Sequence, residues 1–344
     1  MLYGLVSGGI HDQGPRTFLY EVDPFDLSRW TYVSPLVTDM ALGYRDSKWS
    51  GDFGVNWECT NFFHVKGESA GEQLVMITGA EGGAEQPWVS EYHNDHAQAA
   101  RRIPRYANWF FGTLGKLAGD QVRVMPEPAG LLDWGIYYAA NSFLSPDGRR
   151  FLWGWLIEED LKDDVLANKG WTGCMGVPRE VFLQTTHGVH SALCSRPESI
   201  GCMETRSTGV DSSVSTLGIR PIAEVSRLRE ALVYDHLPSS LKSHRTLLPS
   251  APLSCEISAS IHVFDSTQSV TLFVRHSDDL SVNTAITFQC REEELVVTRE
   301  RSTGRKDVNT SAEIGSHTLF PLESLCEMSN TPWFSLALVE AMHS

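Results

Sequence analysis

Short β-prone runs punctuated by tight turns fill most of this chain, and that pattern restricts its fold more than any other feature. The clearest case is residues 141–155, where Ser145-Pro146-Asp147-Gly148 separates two apolar arms. Proline presets φ early in a turn and glycine supplies positive φ near its end, so the segment reads as a hairpin. Residues 2–6 and 17–22 form a second alternating pair. Residues 62–65 and 74–78 form a third, broken at Lys66-Gly67-Glu68-Ser69. Helical periodicity is nearly absent over the first two hundred residues. Many short strands at this spacing mean a sandwich, a barrel or a propeller.

The pattern changes near Ile222. Val225, Leu228 and Leu232 recur at three- and four-residue intervals, which suits a short helical or irregular linker, and Pro238, Pro249 and Pro252 mark a loop. From Cys255 alternation resumes through residues 256–263, 269–274, 284–290 and 295–299, reading as a second all-β domain of sandwich type. From Leu325 onward the alternation is lost, and the tail reads unlike the finish of a sandwich. A chain of 344 residues exceeds the usual single core. The expected division is a first β domain over residues 1–221, a linker over 222–252 and a second β domain over 253–344.

Composition removes several function classes. Lys plus Arg number 28 against 43 Asp plus Glu, a formal charge of −15, so phosphate-rich partners are repelled: no nucleic acid and no anionic membrane is expected. No apolar run approaches the eighteen or so residues of a spanning helix. The seven cysteines are scattered and odd in number, with no C-x-x-C and no histidine at ligand spacing. No zinc site, other metal or cofactor is therefore expected; a dense disulfide framework is not expected either, and one or two bridges remain open. The first residues carry no basic region and no small-residue cleavage site, so the chain is expected to begin inside a folded domain, with its compartment open. Ten Trp, nine Tyr and fifteen Phe suit sugar-ring stacking, although most such rings belong to a core.

One segment concentrates the chemistry. In residues 49–63, Glu58 lies between Trp57 and Cys59, just before an apolar strand. A carboxyl among apolar neighbours has its pKa raised, as a general acid near neutral pH requires. The same position also suits an ordinary surface glutamate at a strand start. Asn56-Trp57-Glu58-Cys59-Thr60-Asn61-Phe62-Phe63 resembles the acid/base motif of glycoside hydrolase family 32, written E-C-P-D, with Thr60-Asn61 replacing Pro-Asp. Residues 131–143 resemble the family's D-x-G-x-x-Y-A run, residues 148–155 its G-R-R-x-x-W-G-W hairpin and residues 171–180 its W-x-G-x-x-x-x-P-R-E motif. Residues 6–20 are similar to fungal members. The order of these motifs makes the resemblance specific over roughly residues 1–310.

That family contains invertases, inulinases, levanases and fructosyltransferases. The resemblance implies a five-bladed β-propeller followed by a β-sandwich, and retaining hydrolysis or transfer of β-fructosides such as sucrose or fructans. Two carboxylates about 5 Å apart carry that mechanism. Glu58 takes the place of the acid/base. Glu81 matches a sugar-binding glutamate and is equally a turn carboxylate. His93, with His96, suits the leaving-group side or a surface loop. Asp133 and Tyr137 or Tyr138 match the fructose-side run. Trp134, Trp153 and Trp155 suit stacking on sugar, although Trp153 and Trp155 at strand spacing read better as blade core.

Two family motifs are missing. The nucleophile's W-x-N-D-P-N-G segment does not occur, nor does R-D-P ahead of residues 6–9. The later sandwich strand with its D-x-S-x-x-E-x-F pattern is also not found. The chain is therefore expected to be truncated at the N-terminus, lacking the first blade and part of the second, and altered at the C-terminus. It is further expected to be inactive by itself, and to oligomerise or aggregate through open propeller edges. The alternative expectation is a catalytically dead carbohydrate-binding remnant.

Overall fold

The computed structural model describes residues 2–37, 40, 48–67, 71–82, 104–112, 114–116, 122–124, 128–159, 161–207, 212–229, 255–305, 308–321 and 333–340. The chain is all-β. The first sheet runs in the order β1 (Leu2–Ile10), β2 (Gly14–Val22), β3 (Trp30–Pro35). The second contains β4 (Asn56–Lys66), β5 (Glu72–Glu81), β6 (Arg105–Gly112) and, beyond a small ribbon of β7 (Leu114–Lys116) and β8 (Val122–Val124), β9 (Ala129–Leu131). The third pairs β10 (Tyr137–Leu144), β11 (Arg150–Leu156), β13 (Arg179–His187), β15 (Ser212–Pro221) and β14 (Glu204–Ser207) in that order, with β12 (Cys174–Met175) also on β11. One helix, α1 (Asp163–Lys169), precedes β12 and ends on Gly170 in the left-handed conformation, φ 81°. Among the described residues no helix is long and apolar enough to cross a membrane.

The stacking of the sheets follows from β5. Its Leu74-Val75-Met76-Ile77 run is apolar without interruption, the signature of a strand buried on both faces. Because side chains alternate, Val75 and Ile77 face the third sheet, packing with Phe63, Val65, Trp109, Phe111, Tyr137, Leu152, Val181 and Leu217. Met76 and Ala80 face the first sheet, packing with Leu19, Leu36, Phe53, Trp57 and Phe110. The 141–155 hairpin forms as its turn residues dictate: Ser145 N–H donates to Arg149 O at 2.8 Å, Gly148 N–H to Ser145 O at 2.9 Å, and Gly148 has φ 88°. Trp153 and Trp155 depart from the core reading. Leu152 and Gly154 point inward, which leaves Trp153 38% exposed and Trp155 half-buried.

The C-terminal part forms two sheets, β16 (Cys255–His262) with β21 (Trp333–Glu340), and β17 (Ser269–Val274), β18 (Thr284–Gln289), β19 (Glu294–Thr298), β20 (Glu313–Ser316) in sequence. β21 corrects the reading of the tail. Residues 333–340 form a strand in full antiparallel register with β16, from Cys255↔Glu340 to His262↔Trp333. Between β15 and β16, residues 223–228 form a 3-10 turn fastened by the Arg149–Glu224 ion pair at 2.5 Å. The six described cysteines are free thiols; Cys326 lies outside the described residues.

A buried carboxylate pins the C-terminal sheets to the rest. Glu293, only 1% exposed, accepts from the backbone N–H groups of Cys194 and Ser195 at 3.0 and 3.2 Å, and from the hydroxyls of Ser195 and Thr318. Burial alone would raise its pKa, but these donors outweigh burial and hold it below the ordinary carboxylate value. A depressed folded pKa contributes stability above the unfolded value, about 4.3, and loses it as the pH falls through the folded value. Glu293→Ala should therefore cost about 2–3 kcal/mol at pH 7. It should also flatten the decline of stability below about pH 4.5, as read by urea unfolding across pH. A second prediction concerns Gly154: a Cβ there would lie 2.3 Å from the Tyr137 ring, so Gly154→Ala overpacks a full core and should cost about 1–3 kcal/mol of stability, read as a lower urea midpoint.

Candidate active site

Strand alternation on β4 sends Trp57 into the core, where its indole N–H donates to Phe53 O at 2.9 Å, and turns Glu58 outward. The alternation then breaks. Glu58 faces Gly79 and Asn61 faces Ile77, so Cys59 and Thr60 together oppose Thr78, a β-bulge with Cys59 at φ 51°. β10 carries a matching bulge. Tyr138 faces Trp155 and Asn141 faces Trp153, so Ala139, at φ 49°, and Ala140 oppose Gly154. Glu58 and Tyr138 thus occupy equivalent positions at the starts of two bulges, and the Tyr138 hydroxyl donates to Glu58 Oε2 at 2.9 Å.

Glu58 lines an open depression of about 500 Å³ formed by residues 5–8 of β1 and residues 56–60 of β4, and is the carboxylate among the described lining residues. Beneath it lies a knot of hydroxyls. Ser7 Oγ donates to Thr60 Oγ1 at 2.8 Å, Thr60 N–H returns to Ser7 Oγ at 3.0 Å, and Thr17 and Thr78 each place a hydroxyl 3.1 Å from Thr60 Oγ1. Thr78 Oγ1 also donates to Glu58 O at 3.1 Å, so the knot anchors the backbone that carries the carboxylate.

Electrostatics extend the site through Arg105. Its guanidinium lies over the Tyr138 ring at 5.4 Å, donates from Nε and Nη2 to Glu81 Oε1 at 3.1 and 3.0 Å, and pairs with Glu159 through Nη1. Burial disfavours its charge, but Glu159 and Glu81 together hold it protonated. Burial first, then the Glu58 and Glu81 carboxylates, push the Tyr138 hydroxyl far above its ordinary value, with Arg105 pulling the other way. The phenol is consequently a fixed donor toward Glu58. Burial and then Glu58 also push the Cys59 thiol up, which favours its neutral form.

The structure brings Glu58 and Glu81 into one network through Tyr138 and Arg105. It does not bring the other expected residues there. Tyr137 is 1% exposed within the core between the second and third sheets, under the Arg179 guanidinium at 4.0 Å, its hydroxyl pushed up to about 12 by burial. Tyr138, its neighbour, is the tyrosine at the carboxylate. Asp133 accepts from Gly135 N–H at 2.7 Å and Arg179 Nη2 at 2.6 Å, which orients its own turn. The Trp134 ring packs on the backbone at Gly315 in β20, where a Cβ would lie 2.6 Å from its Cγ, so it faces the C-terminal sheets. His93 lies outside the described residues. Sequence reasoning missed Arg105, Glu159 and the hydroxyl knot; the departure at Thr60 was a signal for the knot alone, since Arg105 and Glu159 contact neither Thr60 nor Asn61 in the bonds they make with Glu81 and each other. Among the described residues no group of three or more His, Cys, Asp or Glu side chains could hold a metal ion.

The chain is similar to known proteins. Residues 2–197 match the glycosyl hydrolases family 32 N-terminal domain, and residues 224–332 match the glycosyl hydrolases family 32 C terminal. The chain is 40% identical over 203 residues to β-fructofuranosidase, insoluble isoenzyme CWINV6, of Arabidopsis thaliana, a match covering 56% of this chain and 31% of that protein. It is 32% identical over 188 residues to β-fructofuranosidase, insoluble isoenzyme 2, of Oryza sativa subsp. indica, covering 52% and 28%. In three dimensions it is similar to Aspergillus kawachii β-fructofuranosidase complexed with glycerol, with TM-score 0.73 at 20% identity, covering 98% of this chain and 58% of that one. The A. japonicus fructosyltransferase aligns with TM-score 0.70 at 22% identity, covering 98% and 57%. The match thus spans less than a third of these plant relatives and somewhat over half of the fungal chains. With its N-terminal family domain matched over more than half its length, the chain belongs to glycosyl hydrolase family 32.

Proposed function

We propose that this chain carries the acid/base half of a retaining β-fructoside hydrolase or transferase, with Glu58 as the acid/base. The observation that carries the reading is the Glu58 carboxyl, set on a bulge at the open depression and held through one oxygen by Tyr138. With Oε2 occupied, Oε1 is the oxygen that gives a proton to the departing glycosidic oxygen, and later takes one from the water that attacks the fructosyl intermediate. Glu81, tied to Arg105, supports Tyr138. Sucrose or a fructan is the proposed substrate.

The first step of that mechanism needs a second carboxylate to attack the anomeric carbon. The W-x-N-D-P-N-G segment that supplies it in the family does not occur in these 344 residues, so we propose that they alone release no fructose. The described lining, with Glu58 as its carboxylate, equally favours a second reading, a carbohydrate-binding chain without turnover. We further propose that the three N-terminal sheets are blades of a five-bladed propeller, and that the sheets from Cys255 onward form the sandwich. β1, at one end of its sheet with Leu2, Tyr3 and Val6 exposed, is the proposed open edge through which copies associate.

Incubation with sucrose should yield no fructose above blank. Sucrose hydrolysis by this chain that Glu58→Gln abolishes would overturn the inactive reading. In an in-frame product extended to include the nucleophile segment, Glu58→Gln should reduce kcat on sucrose at least a hundredfold; unchanged kcat would remove Glu58 from the acid role. In size-exclusion chromatography with light scattering, the chain should run as mixed oligomers, and a monodisperse, cooperatively melting monomer would contradict the open-edge proposal.

A further inference from the structure

The two facing bulges are joined by one side chain. Asn61 Nδ2 donates to Cys59 O of its own bulge at 2.8 Å and to Ala140 O of the β10 bulge at 2.9 Å. Its Oδ1 accepts from the backbone N–H of Ser142 at 2.9 Å and the Ser142 hydroxyl at 3.0 Å. An asparagine amide has two N–H donors and two acceptor lone pairs, so every hydrogen-bonding position is filled. The amide's orientation is also determined, because two carbonyls face one end and a backbone N–H faces the other. A carboxylate here would place oxygen against both carbonyls.

The position of these bonds matters more than their number. Bulges re-aim side chains, and each of these bulges aims one member of the Glu58–Tyr138 pair. The hydroxyl knot under Thr60 fixes the β4 bulge to β1, β2 and β5, but does not reach β10. Asn61 makes the connection across the sheets, three residues after Glu58 and opposite the segment that follows Tyr138. Loosening it lets the two bulges shift independently, and a shift of 1 Å is enough to break a 2.9 Å hydrogen bond.

We infer that Asn61 is a positioning residue, which locks the Cys59 bulge to the Ala139–Ala140 bulge and so sets the Tyr138 hydroxyl on the Glu58 carboxyl. Its meaning for catalysis rests on the reading of Glu58 as the acid/base, but the lock itself does not.

The test reads Tyr138 directly, by ¹³Cζ-tyrosine labelling of the 344-residue chain, with the resonance assigned by Tyr138→Phe. Glu58, Glu81 and Arg105 are the charged groups acting on that phenol, and burial dominates them, so its resonance should not titrate up to about pH 11. In Asn61→Ala, water reaches the separated pair and the phenol should begin to titrate with exposed tyrosines, its midpoint falling by at least one unit. Asn283→Ala, a buried asparagine in the C-terminal sheets that donates to Leu280 O at 2.9 Å, is the control for general loosening and should leave the resonance unmoved. If Asn61→Ala does not fold, the isosteric Asn61→Asp is read in the same way. A Tyr138 resonance that stays fixed in the Asn61 variants while their melting temperature falls like that of Asn283→Ala would overturn the inference. A mobile resonance together with unchanged kcat in the extended product's Glu58→Gln variant would keep the lock and remove the acid role, so the two failures are separable.

Discussion

Burial of the second sheet on both faces is the constraint from which the rest follows. β5 offers apolar side chains to either side, so a sheet must pack on each, and the first and third sheets are held at fixed distances from it. Two packed faces fix the strands' rotation as well as their position, because interiors at crystal-like density tolerate little sliding. That rigidity is what allows Glu58 on β4 and Tyr138 on β10, from different sheets, to meet within hydrogen-bonding distance.

Rigidity alone would still aim both residues wrongly. Regular alternation from Trp57 makes Cys59 and Asn61 core residues, and regular alternation along β10 would carry Tyr137, Ala139 and Asn141 together. The bulges break each phase after one residue and send the chain on with the opposite facing. Non-glycine residues in the left-handed region, Cys59 and Ala139, are the conformational cost, of the order of 1 kcal/mol or more each. The hydrogen bonds of Thr60 and Asn61 offset that cost.

This explains what the sequence revealed and what it concealed. Strand runs and the 145–148 turn were legible because local periodicity and turn chemistry decide them. Glu58 stood out as a candidate because its neighbours resemble a motif. Tyr138 was not separable from Tyr137, since a bulge changes facing by one residue and leaves no pattern of its own. Trp153 and Trp155 misled for a related reason: β11 has alternation, but which phase faces inward depends on the sheet it packs against, and Leu152 and Gly154 hold that side. β21 was concealed because its partner β16 lies some seventy residues upstream, a pairing no local window contains. Arg105 and Glu159 meet only through folding, 54 positions apart.

The departure from E-C-P-D is matched by the hydrogen bonds that Thr60 and Asn61 make. Proline at position 60 would have no N–H to give Ser7 Oγ and no hydroxyl to join Thr17 and Thr78, bonds made here at 3.0, 3.1 and 3.1 Å. Aspartate at position 61 would have no donors for the carbonyls of Cys59 and Ala140. A buried polar group left without a partner costs about 1–3 kcal/mol. Here both side chains are satisfied, Thr60 by Ser7, Thr17 and Thr78 and Asn61 by Cys59, Ala140 and Ser142. Two substitutions that fit so closely into neighbours on β1, β2, β5 and β10 are a coherent alternative packing of the same bulge.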